Sequence, residues 1–416
     1  MAPWVEHVMW WQVYPLGFAG VEVRDEHRPP APEGGLRSLI PWVEHIQELG
    51  LNGLLLGPIF SSSTHGYDSV DWFSIDERLG TRADFDDLIA ACRARGIRVL
   101  LDGVFNHVGR EHPWAQRALA EGRDGELADW FRIDWDAPGG PRFADFEGHE
   151  SLVALNHANE GVIDAVRAAM AFWLDAGADG WRLDAAYAVA PGFWARVLPP
   201  VRAANPQAWI LGEMIHGDYA AYVEASGIDS VTEYELWKAT WSSLKEENFF
   251  ELDWTLGRHN ALLDSFVPQT FVGNHDVTRI ATQVGHAKAV LALTVLATVG
   301  GIPSIYYGDE VGLEALKEER LGGDDAIRPA FPPSPAQLDV RDGRLMRAHQ
   351  DLIGLRRRHP WLLRARTETV ELTNTRYTYR VSSGSDAEAL LVTLDVSQEP
   401  FAEIATVAGE VRFSSR

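Results

Sequence analysis

The segment GVIDAVRAAMAFWLDAGADGWRLDAAY, residues 161–187, carries the pattern on which the fold depends. Up to Gly177 its apolar side chains recur at helical spacing, and the following run ADGWRLD is typical of a short buried strand. Arg182 and Asp184 place two opposite charges in that strand. Because alternate residues of a strand point to the same side, both charges face one way. We therefore expect a helix followed by a strand that ends in a polar mouth rather than in a dry core.

The same alternation of helix and apolar strand runs through most of the 416 residues. Parallel strands need such crossover helices, so the pattern predicts an α/β protein with a parallel sheet. Eight strands are predicted, with starts near Met9, Gly53, Ile97, Gly180, Ala208, Asp229, Gln269 and Ile302. Eight units of this kind over this length favour a closed (β/α)8 TIM barrel over an open doubly wound sheet.

Two regions depart from this alternation. Residues 107–159 are polar and rich in Trp and Phe, and they are too many for a simple connection between a strand and a helix. We expect an inserted subdomain, about residues 108–158, that shapes part of a ligand cleft. Residues 361–416 show β-branched runs separated by Gly, Ser, Asn and Asp, which predicts a small C-terminal antiparallel β domain. The barrel domain then comprises residues 1–360.

Composition and charge narrow the function classes. Lys and Arg number 37 against 60 Asp and Glu, a formal charge of −23, so the average surface repels nucleic acid and anionic membranes. The one cysteine, Cys92, cannot form an intramolecular disulfide; a buried small residue is the first interpretation and a catalytic thiol the second. The N-terminal segment lacks signal-peptide features, and the apolar run 290–298 is too short to span a bilayer. We therefore expect a cytoplasmic protein.

Polar residues follow four of the predicted strands where each one ends. They are Asp102, Asn106 and His107 after the third strand, Arg182 and Asp184 at the fourth, Glu213 after the fifth, and Asn274, His275 and Asp276 after the seventh. The carboxyl ends of the strands in a parallel barrel converge on one rim, where the active sites of this architecture lie. The pattern predicts that these side chains share one cleft.

Three carboxylates and an arginine in one cleft suit a reaction that builds positive charge on its substrate. Glycoside hydrolysis passes through an oxocarbenium-like state and uses one ionised and one protonated carboxyl group. We expect Asp184 to be the nucleophile, because the adjacent Arg182 should lower its pKa. Glu213 is the expected general acid, because its apolar neighbours should raise its pKa, and Asp276 would bind sugar hydroxyls. Taken singly, each motif is also compatible with a structural ion pair or a capped turn.

The segments DGVFNH, GWRLDAAY, GEMIHGD and FVGNHD resemble the four sequence signatures of the α-amylase superfamily, glycoside hydrolase family 13. The resemblance extends from about Trp10 to Gly312. It implies a retaining double-displacement mechanism on α-glucosidic bonds, with an α-linked gluco-oligosaccharide as substrate. By motif position it makes Asp184 the nucleophile, Glu213 the acid/base and Asp276 the stabiliser of the transition state.

The same resemblance gives substrate-binding roles to six further residues, namely Tyr67, Asp102, His107, Arg182, His216 and His275. The histidines of DGVFNH and FVGNHD would bind hydroxyls of the sugar in the cleaved position, and the arginine would hold the nucleophile. Tyr67 would stack under that sugar and Asp102 would brace the floor of the site, with core packing and a buried bridge as the competing interpretations. His216 would meet the acceptor sugar or lie on the surface.

Two departures from the family pattern bear on specificity and metal content. Many exo-acting α-glucosidases of this family carry Asp three residues before the tyrosine of GYD, where this chain has Thr64. A simple exo-glucosidase therefore loses support. The insertion is short compared with the calcium-binding domain of secreted amylases, so calcium could bind through Asn106 but is not implied. No metal or cofactor is predicted.

Several functions stay open at this point. The leading hypothesis is a retaining hydrolase of α-linked oligosaccharides, and its close alternative is a transglucosylase or isomerase that uses the same covalent intermediate. A non-catalytic amylase-like binding protein is a further alternative. So is a metal-dependent barrel hydrolase that would use Asp102, His107, His275 and Asp276. The sequence does not indicate the linkage cleaved or the preferred chain length. It also leaves open whether the protein forms a homo-oligomer.

Overall fold

Eight parallel strands form the centre of the fold in a computed structural model that describes residues 2–24, 29, 31, 34–340, 343–385 and 387–416. The strands are β1 (Trp10–Val13), β2 (Gly53–Leu56), β3 (Arg98–Gly103), β4 (Gly180–Leu183), β5 (Trp209–Gly212), β6 (Ser230–Val231), β7 (Gln269–Phe271) and β8 (Ile302–Tyr306). Their order is β6-β5-β4-β3-β2-β1-β8-β7, and a parallel bridge from Thr232 to Gln269 closes the ring. The predicted (β/α)8 barrel is confirmed, and each predicted strand start lies within one residue of the observed one.

Helices follow each strand and cover the outside of the barrel. They are α1 (Trp42–Glu48), α2 (Arg82–Ala94), α3 (Glu160–Asp175), α4 (Pro191–Ala204), α5 (Tyr219–Ser226), α6 (Tyr234–Glu246), α7 (Phe250–Leu262), α8 (Ile280–Thr298) and α9 (Gly343–Arg358). Their starts follow ordinary capping rules: Thr81 and Asp84 form a capping box at α2, and the Asn159 side chain accepts from two amides at the start of α3.

The apolar run 290–298 belongs to a longer helix than the sequence suggested. Helix α8 has 19 residues and is, by length and composition alone, long and apolar enough to cross a membrane. The backbone at Gly285 is non-helical and interrupts this helix, and 61% of the apolar stretch of the helix is buried within the protein. Burial of this kind is expected for a core helix of a barrel, where apolar side chains face both the strands and neighbouring elements.

The insertion between β3 and α3 is a small subdomain above the carboxyl ends of the strands, as predicted. It contains a helix (Pro113–Glu121) and an antiparallel sheet of three strands (His107–Gly109, Asp145–Phe146 and His149–Ala154). The turn between the last two strands brings Phe146 and Glu147 to the mouth of the barrel. The insertion therefore contributes directly to the wall of the cleft.

A five-stranded antiparallel sheet follows the barrel, which confirms the predicted C-terminal β domain. Its strands are β9 (Arg366–Leu372), β10 (Arg376–Ser382), β11 (Ala389–Asp395), β12 (Phe401–Thr406) and β13 (Val411–Ser414). Buried side chains alternate along β10 to β12, and the Tyr379 hydroxyl forms a 2.6 Å hydrogen bond with Thr298 of α8. The boundaries 1–360 and 361–416 remain our proposal.

The core uses most of the bulky aromatic side chains. Trp10 and Trp209, for example, stack at 5.7 Å inside the barrel, and both are fully buried. Cys92 is also buried, and burial raises the pKa of its thiol to about 12. A thiol with such a pKa stays protonated at neutral pH and is a poor nucleophile, which favours the interpretation of Cys92 as a packing residue.

Candidate active site

The polar residues predicted at the strand ends do converge on one cleft. Asp184 and Glu213 directly follow β4 and β5, and Asp276 lies in the loop after β7. Together they line a cavity of about 310 Å³ at the carboxyl ends of the strands. Other residues on its wall are Tyr67, His107, Phe146, Tyr187, Tyr234 and Arg328.

Arg182 is the centre of the charge network. It lies opposite Asp102 in the β3–β4 register and is only 3% exposed. Its Nη1 donates to Asp102 at 2.8 Å and to Asp184 at 2.9 Å, while its Nη2 donates to Oε1 of Glu213. One guanidinium therefore positions three carboxyl groups that come from three neighbouring strands. Strand β4 can therefore carry Arg182 and be followed by Asp184, because both side chains point into the cavity at the carboxyl ends of the strands.

Burial controls the ionisation of these carboxyl groups more than the arginine does. It raises the pKa of Asp184 to about 7 and that of Asp102 to about 6, and it raises the pKa of Glu213 as well. The sequence-based expectation that Arg182 keeps the pKa of Asp184 low was wrong. Arg182 shares its single charge among three carboxyl groups, and desolvation opposes ionisation at each of them.

Asp276 has the opposite electrostatic setting. Burial acts to raise its pKa, but the contacts with His275 and with the Arg328 guanidinium outweigh burial, and the pKa lies well below its ordinary value. Arg328 donates to Oδ1 at 2.8 Å, and His275 Nε2 lies 3.0 Å from Oδ2. Of the three carboxyl groups predicted to be catalytic, Asp276 is therefore the one that stays ionised, whereas Asp184 and Glu213 compete for a proton.

Glu213 is held by a backbone amide in an unusual conformation. Ala185 has a φ of 45°, in the left-handed region, and its N–H donates to Oε2 of Glu213 at 2.9 Å. The Tyr234 hydroxyl lies 3.4 Å from the other oxygen and accepts a hydrogen bond from Asn274 at 2.8 Å. Left-handed backbone is unfavourable for alanine, so the surrounding structure must impose it. This backbone conformation directs the N–H of Ala185, the residue after Asp184, toward Glu213.

The two predicted histidines are both buried and neutral. Burial lowers the pKa of His107 to about 3 and also lowers that of His275. His107 Nε2 donates to the Tyr67 carbonyl at 3.1 Å, and the Gln12 amide donates to Nδ1 of His275 at 3.0 Å. The proton of the His275 ring is therefore on Nε2, the nitrogen that faces Asp276.

Tyr67 and Asp102 are part of the same network. The Tyr67 hydroxyl donates to Asp102 at 3.2 Å and contacts Nε2 of His275. Tyr67 lines the cavity, whereas Asp102 is 1% exposed and lies beneath it. This geometry is compatible with the predicted roles of sugar platform and floor, which stay predictions.

His216 lies apart from the other predicted residues. It is exposed and packs against the Tyr187 ring at 5.2 Å between centroids, outside the residues that line the cavity. Thr64, where many exo-acting relatives have Asp, donates its hydroxyl to Asp68 at 2.7 Å.

The structure adds residues that sequence reasoning missed. Arg328 and Tyr234 carry no motif: the first lies in the irregular segment after β8, and the second begins an ordinary amphipathic helix. Gln12 could have been predicted from the sequence, because it is a polar residue inside the otherwise apolar strand β1, as Arg182 is inside β4. Phe146, in the insertion, stacks on the His107 ring with 4.8 Å between the ring centroids. The sequence of the insertion does not indicate which of its residues face the cleft.

No metal site emerges from the described residues: they contain no group of three or more His, Cys, Asp or Glu side chains arranged to hold an ion. The Asn106 side-chain amide donates to Nδ1 of His107 at 3.0 Å. The metal-dependent alternative therefore receives no support from the part of the chain that the structure covers.

The chain matches a known protein family over most of its length. Residues 12–331 match the family described as "Alpha amylase, catalytic domain". The chain belongs to the α-amylase family. The matched residues of this α-amylase domain include Asp184, Glu213 and Asp276.

Individual relatives within the α-amylase family share moderate identity with the chain. It is 33% identical to a cyclomaltodextrinase of a Bacillus species, over 75% of this chain and 60% of that protein. It is 29% identical to an intracellular maltogenic amylase of Bacillus subtilis, over 75% of this chain and 56% of that protein. The chain thus spans a little over half the length of these curated relatives.

A solved structure of similar size matches nearly the whole chain. It is the cyclic alpha-maltosyl-(1→6)-maltose hydrolase from Arthrobacter globiformis in complex with cyclic alpha-maltosyl-(1→6)-maltose, with a TM-score of 0.82 and 27% identity. The match covers 95% of this chain and 91% of that one. Coverage of this extent includes at least part of the C-terminal sheet as well as the barrel.

Proposed function

We propose that this member of the α-amylase family is a retaining hydrolase that cleaves α-glucosidic bonds of oligosaccharides by double displacement. The observation that carries the proposal is the shared guanidinium of Arg182, which bonds Asp184 from Nη1 and Glu213 from Nη2. Retaining glycosidases need two carboxyl groups about 5 to 5.5 Å apart on either side of the scissile bond. A common hydrogen-bonding partner brings the two groups into one small cavity.

The first step uses the proton that the carboxyl cluster retains. Glu213 donates it to the glycosidic oxygen while an Asp184 oxygen attacks the anomeric carbon, so the leaving sugar departs and a covalent glycosyl ester forms. A proton on Glu213 removes one negative charge from the neighbourhood of Asp184 and so favours the ionised nucleophile. In the second step Glu213 takes a proton from water, which attacks the same carbon and frees Asp184.

The other groups around the cavity bind and stabilise. Asp276, held ionised by Arg328, is suited to offset the positive charge of the oxocarbenium-like transition state. His107 and His275 are neutral, so they add no cation to the site. To bind a sugar hydroxyl, as predicted, each would share a ring N–H that already has a protein partner. Tyr67 presents the aromatic wall against which a sugar ring would stack.

The relatives support a substrate class and a location. A cyclomaltodextrinase and a cyclic maltosyl-maltose hydrolase both have names that describe action on α-glucans, which supports an α-linked gluco-oligosaccharide substrate here. The intracellular maltogenic amylase of Bacillus subtilis supports a cytoplasmic location. A non-catalytic binding role is disfavoured, because all three carboxylates are present and hydrogen-bonded in one cavity.

A panel of linear and cyclic α-linked gluco-oligosaccharides tests the proposal, with release of glucose and maltose as the measurement. The parent protein should hydrolyse at least one of them, and Asp184→Asn should lose about 10⁴-fold or more in kcat, because no nucleophile remains. Asp136→Asn, at a site with an 84% exposed side chain, is the matched control. Equal activity of the parent and Asp184→Asn would exclude the mechanism. Release of the β-anomer first would show inversion rather than retention.

A further inference from the structure

An exposed aromatic groove adjoins the catalytic cavity between helices α6 and α7. It has a volume of about 510 Å³ and shares two wall residues, Ile215 and Tyr234, with the cavity. Trp237 and Trp254 form its aromatic part. Trp237 and Trp254 do not line the catalytic cavity, and the two shared residues connect the groove to the cavity wall.

Trp254 is the most notable residue of the groove. Of the tryptophans in this chain it is the most exposed, at 64%, whereas most of the others are buried in the core. The Trp237 ring is half buried and lies 5.7 Å from the Tyr234 ring. The flat apolar faces of these two rings suit the apolar faces of sugar rings.

Polar groups beside the tryptophan are also arranged for hydroxyl binding. Arg258 donates to Glu235 from Nε at 3.0 Å and from Nη2 at 3.1 Å, and this pair remains 51% and 38% exposed. The guanidinium lies 5.1 Å from the centroid of the Trp254 ring and so limits its orientation. A planar donor and a planar acceptor at the edge of an aromatic face match the vicinal hydroxyls of a pyranose.

The groove meets the cavity beside Glu213. Tyr234 places its hydroxyl 3.4 Å from Glu213, the proposed proton donor, and Ile215 follows Glu213 by two residues. In the proposed mechanism the general acid protonates the leaving oxygen, so the sugars beyond that oxygen extend past Glu213. Arg24, Asp276, Asp324 and Arg328 line the cavity but not the groove.

We propose that this groove binds the distal sugars of the leaving group, or of an acceptor sugar that replaces water, with Trp254 as the stacking platform. The inference rests on the proposed function, because it needs Glu213 to be the proton donor. It makes a specific statement about substrate: oligosaccharides with several sugars on the leaving side are better substrates than those with one. Short acceptors would gain less from the groove than long ones.

The test compares chain-length dependence in variants of the full chain. For the parent, kcat/KM should rise with length across linear malto-oligosaccharides. The informative quantity is the ratio of kcat/KM for maltoheptaose to kcat/KM for an aryl α-glucoside. This ratio should fall roughly three- to tenfold in Trp254→Ala, because the aryl glucoside has no sugar on its leaving side that could contact Trp254. Trp254→Phe should recover most of the ratio. Phe250→Ala, which removes another exposed ring of α7 that does not line the groove, should leave the ratio at the parental value.

Binding gives a second measurement that does not depend on turnover. In the Asp184→Asn background, calorimetric titration with maltoheptaose should show a roughly three- to tenfold weaker Kd when Trp254→Ala is added. The parent could hydrolyse oligosaccharides while Trp254→Ala leaves both the kcat/KM ratio and the Kd unchanged. That result would overturn the groove assignment but not the proposed function. A parent without hydrolysis would overturn the proposed function instead. A Trp254→Ala variant that changes only the oligomeric state in size-exclusion chromatography would identify a self-association surface and also overturn the groove assignment.

Discussion

Arg328 donates from Nη2 to Oδ1 of Asp276 at 2.8 Å, across 52 positions of the chain. The same guanidinium donates from Nε to the carbonyl of His275 at 2.8 Å and covers the Tyr14 ring at 4.6 Å. A side chain from the irregular segment after β8 thus sets both the position and the ionisation of the third carboxylate. It does so together with the neutral His275 of the loop after β7, whose Nε2 lies 3.0 Å from Oδ2 of Asp276.

The first prediction concerns this pair. Arg328→Met should lower kcat/KM for oligosaccharides about 10- to 100-fold, because a hydrogen bond to a charged group contributes about 1.5 to 3 kcal/mol. Arg328→Lys should recover part of the loss, since an ammonium keeps the charge but cannot make both hydrogen bonds. Steady-state kinetics measures both variants, with the exposed Arg123→Met as control. Full activity of Arg328→Met would show that Asp276 does not depend on this contact.

The second prediction tests Glu213 as the proton donor. Glu213→Gln should lower kcat for oligosaccharides about 10²- to 10⁴-fold, the usual contribution of general acid catalysis. The loss should be much smaller for a dinitrophenyl α-glucoside, whose leaving group departs without a proton. The parental decline of activity toward alkaline pH, which reports loss of the Glu213 proton, should disappear with that substrate. An equal loss on both substrates would argue against the assignment.

The third prediction concerns stability and pH. Burial raises the pKa of Asp184 to about 7, from an ordinary value of 3.8. Between these values the folded state binds more protons than the unfolded state, so the contribution of Asp184 to the free energy of unfolding decreases as pH rises toward 7. Asp184→Asn, which does not titrate, should therefore change the Tm more favourably at pH 8 than at pH 5, relative to the parent. Calorimetry at both pH values measures this, and an equal change at both would contradict it.

The fourth prediction addresses the left-handed residue beside the nucleophile. Ala185→Val should destabilise the local turn, because a β-branched side chain resists a positive φ and Ala185 is only 2% exposed. Its amide then moves away from Glu213, and kcat should fall about tenfold or more, with a shifted alkaline limb of the pH profile. Ala185→Gly accepts this backbone conformation and should retain most of the activity. Comparable activity of Val and Gly variants would show that the amide does not position Glu213.

Much of the fold was predictable because it depends on local pattern. The alternation of amphipathic helix and apolar strand located all eight barrel strands, and turn residues separated the strands of the C-terminal sheet. The convergence of Asp102, Arg182, Glu213 and Asp276 was predictable for a topological reason. Parallel strands bring their carboxyl ends to one rim whatever the details of packing. Arg328, Tyr234 and Phe146 were not predictable, because their segments carry no period and no motif that indicates where they return to the rim.

The amino-acid sequence by itself determined the barrel, the insertion, the C-terminal sheet and the set of acids that meet at the mouth, since periodicity and strand polarity are encoded residue by residue. Only the tertiary structure decided how those acids titrate. Asp184 has a raised pKa although its neighbour two positions away is an arginine, because that arginine also bonds Asp102 and Glu213 in a buried site. Desolvation and charge sharing depend on distances in space, and these exist only once the strands have been brought together.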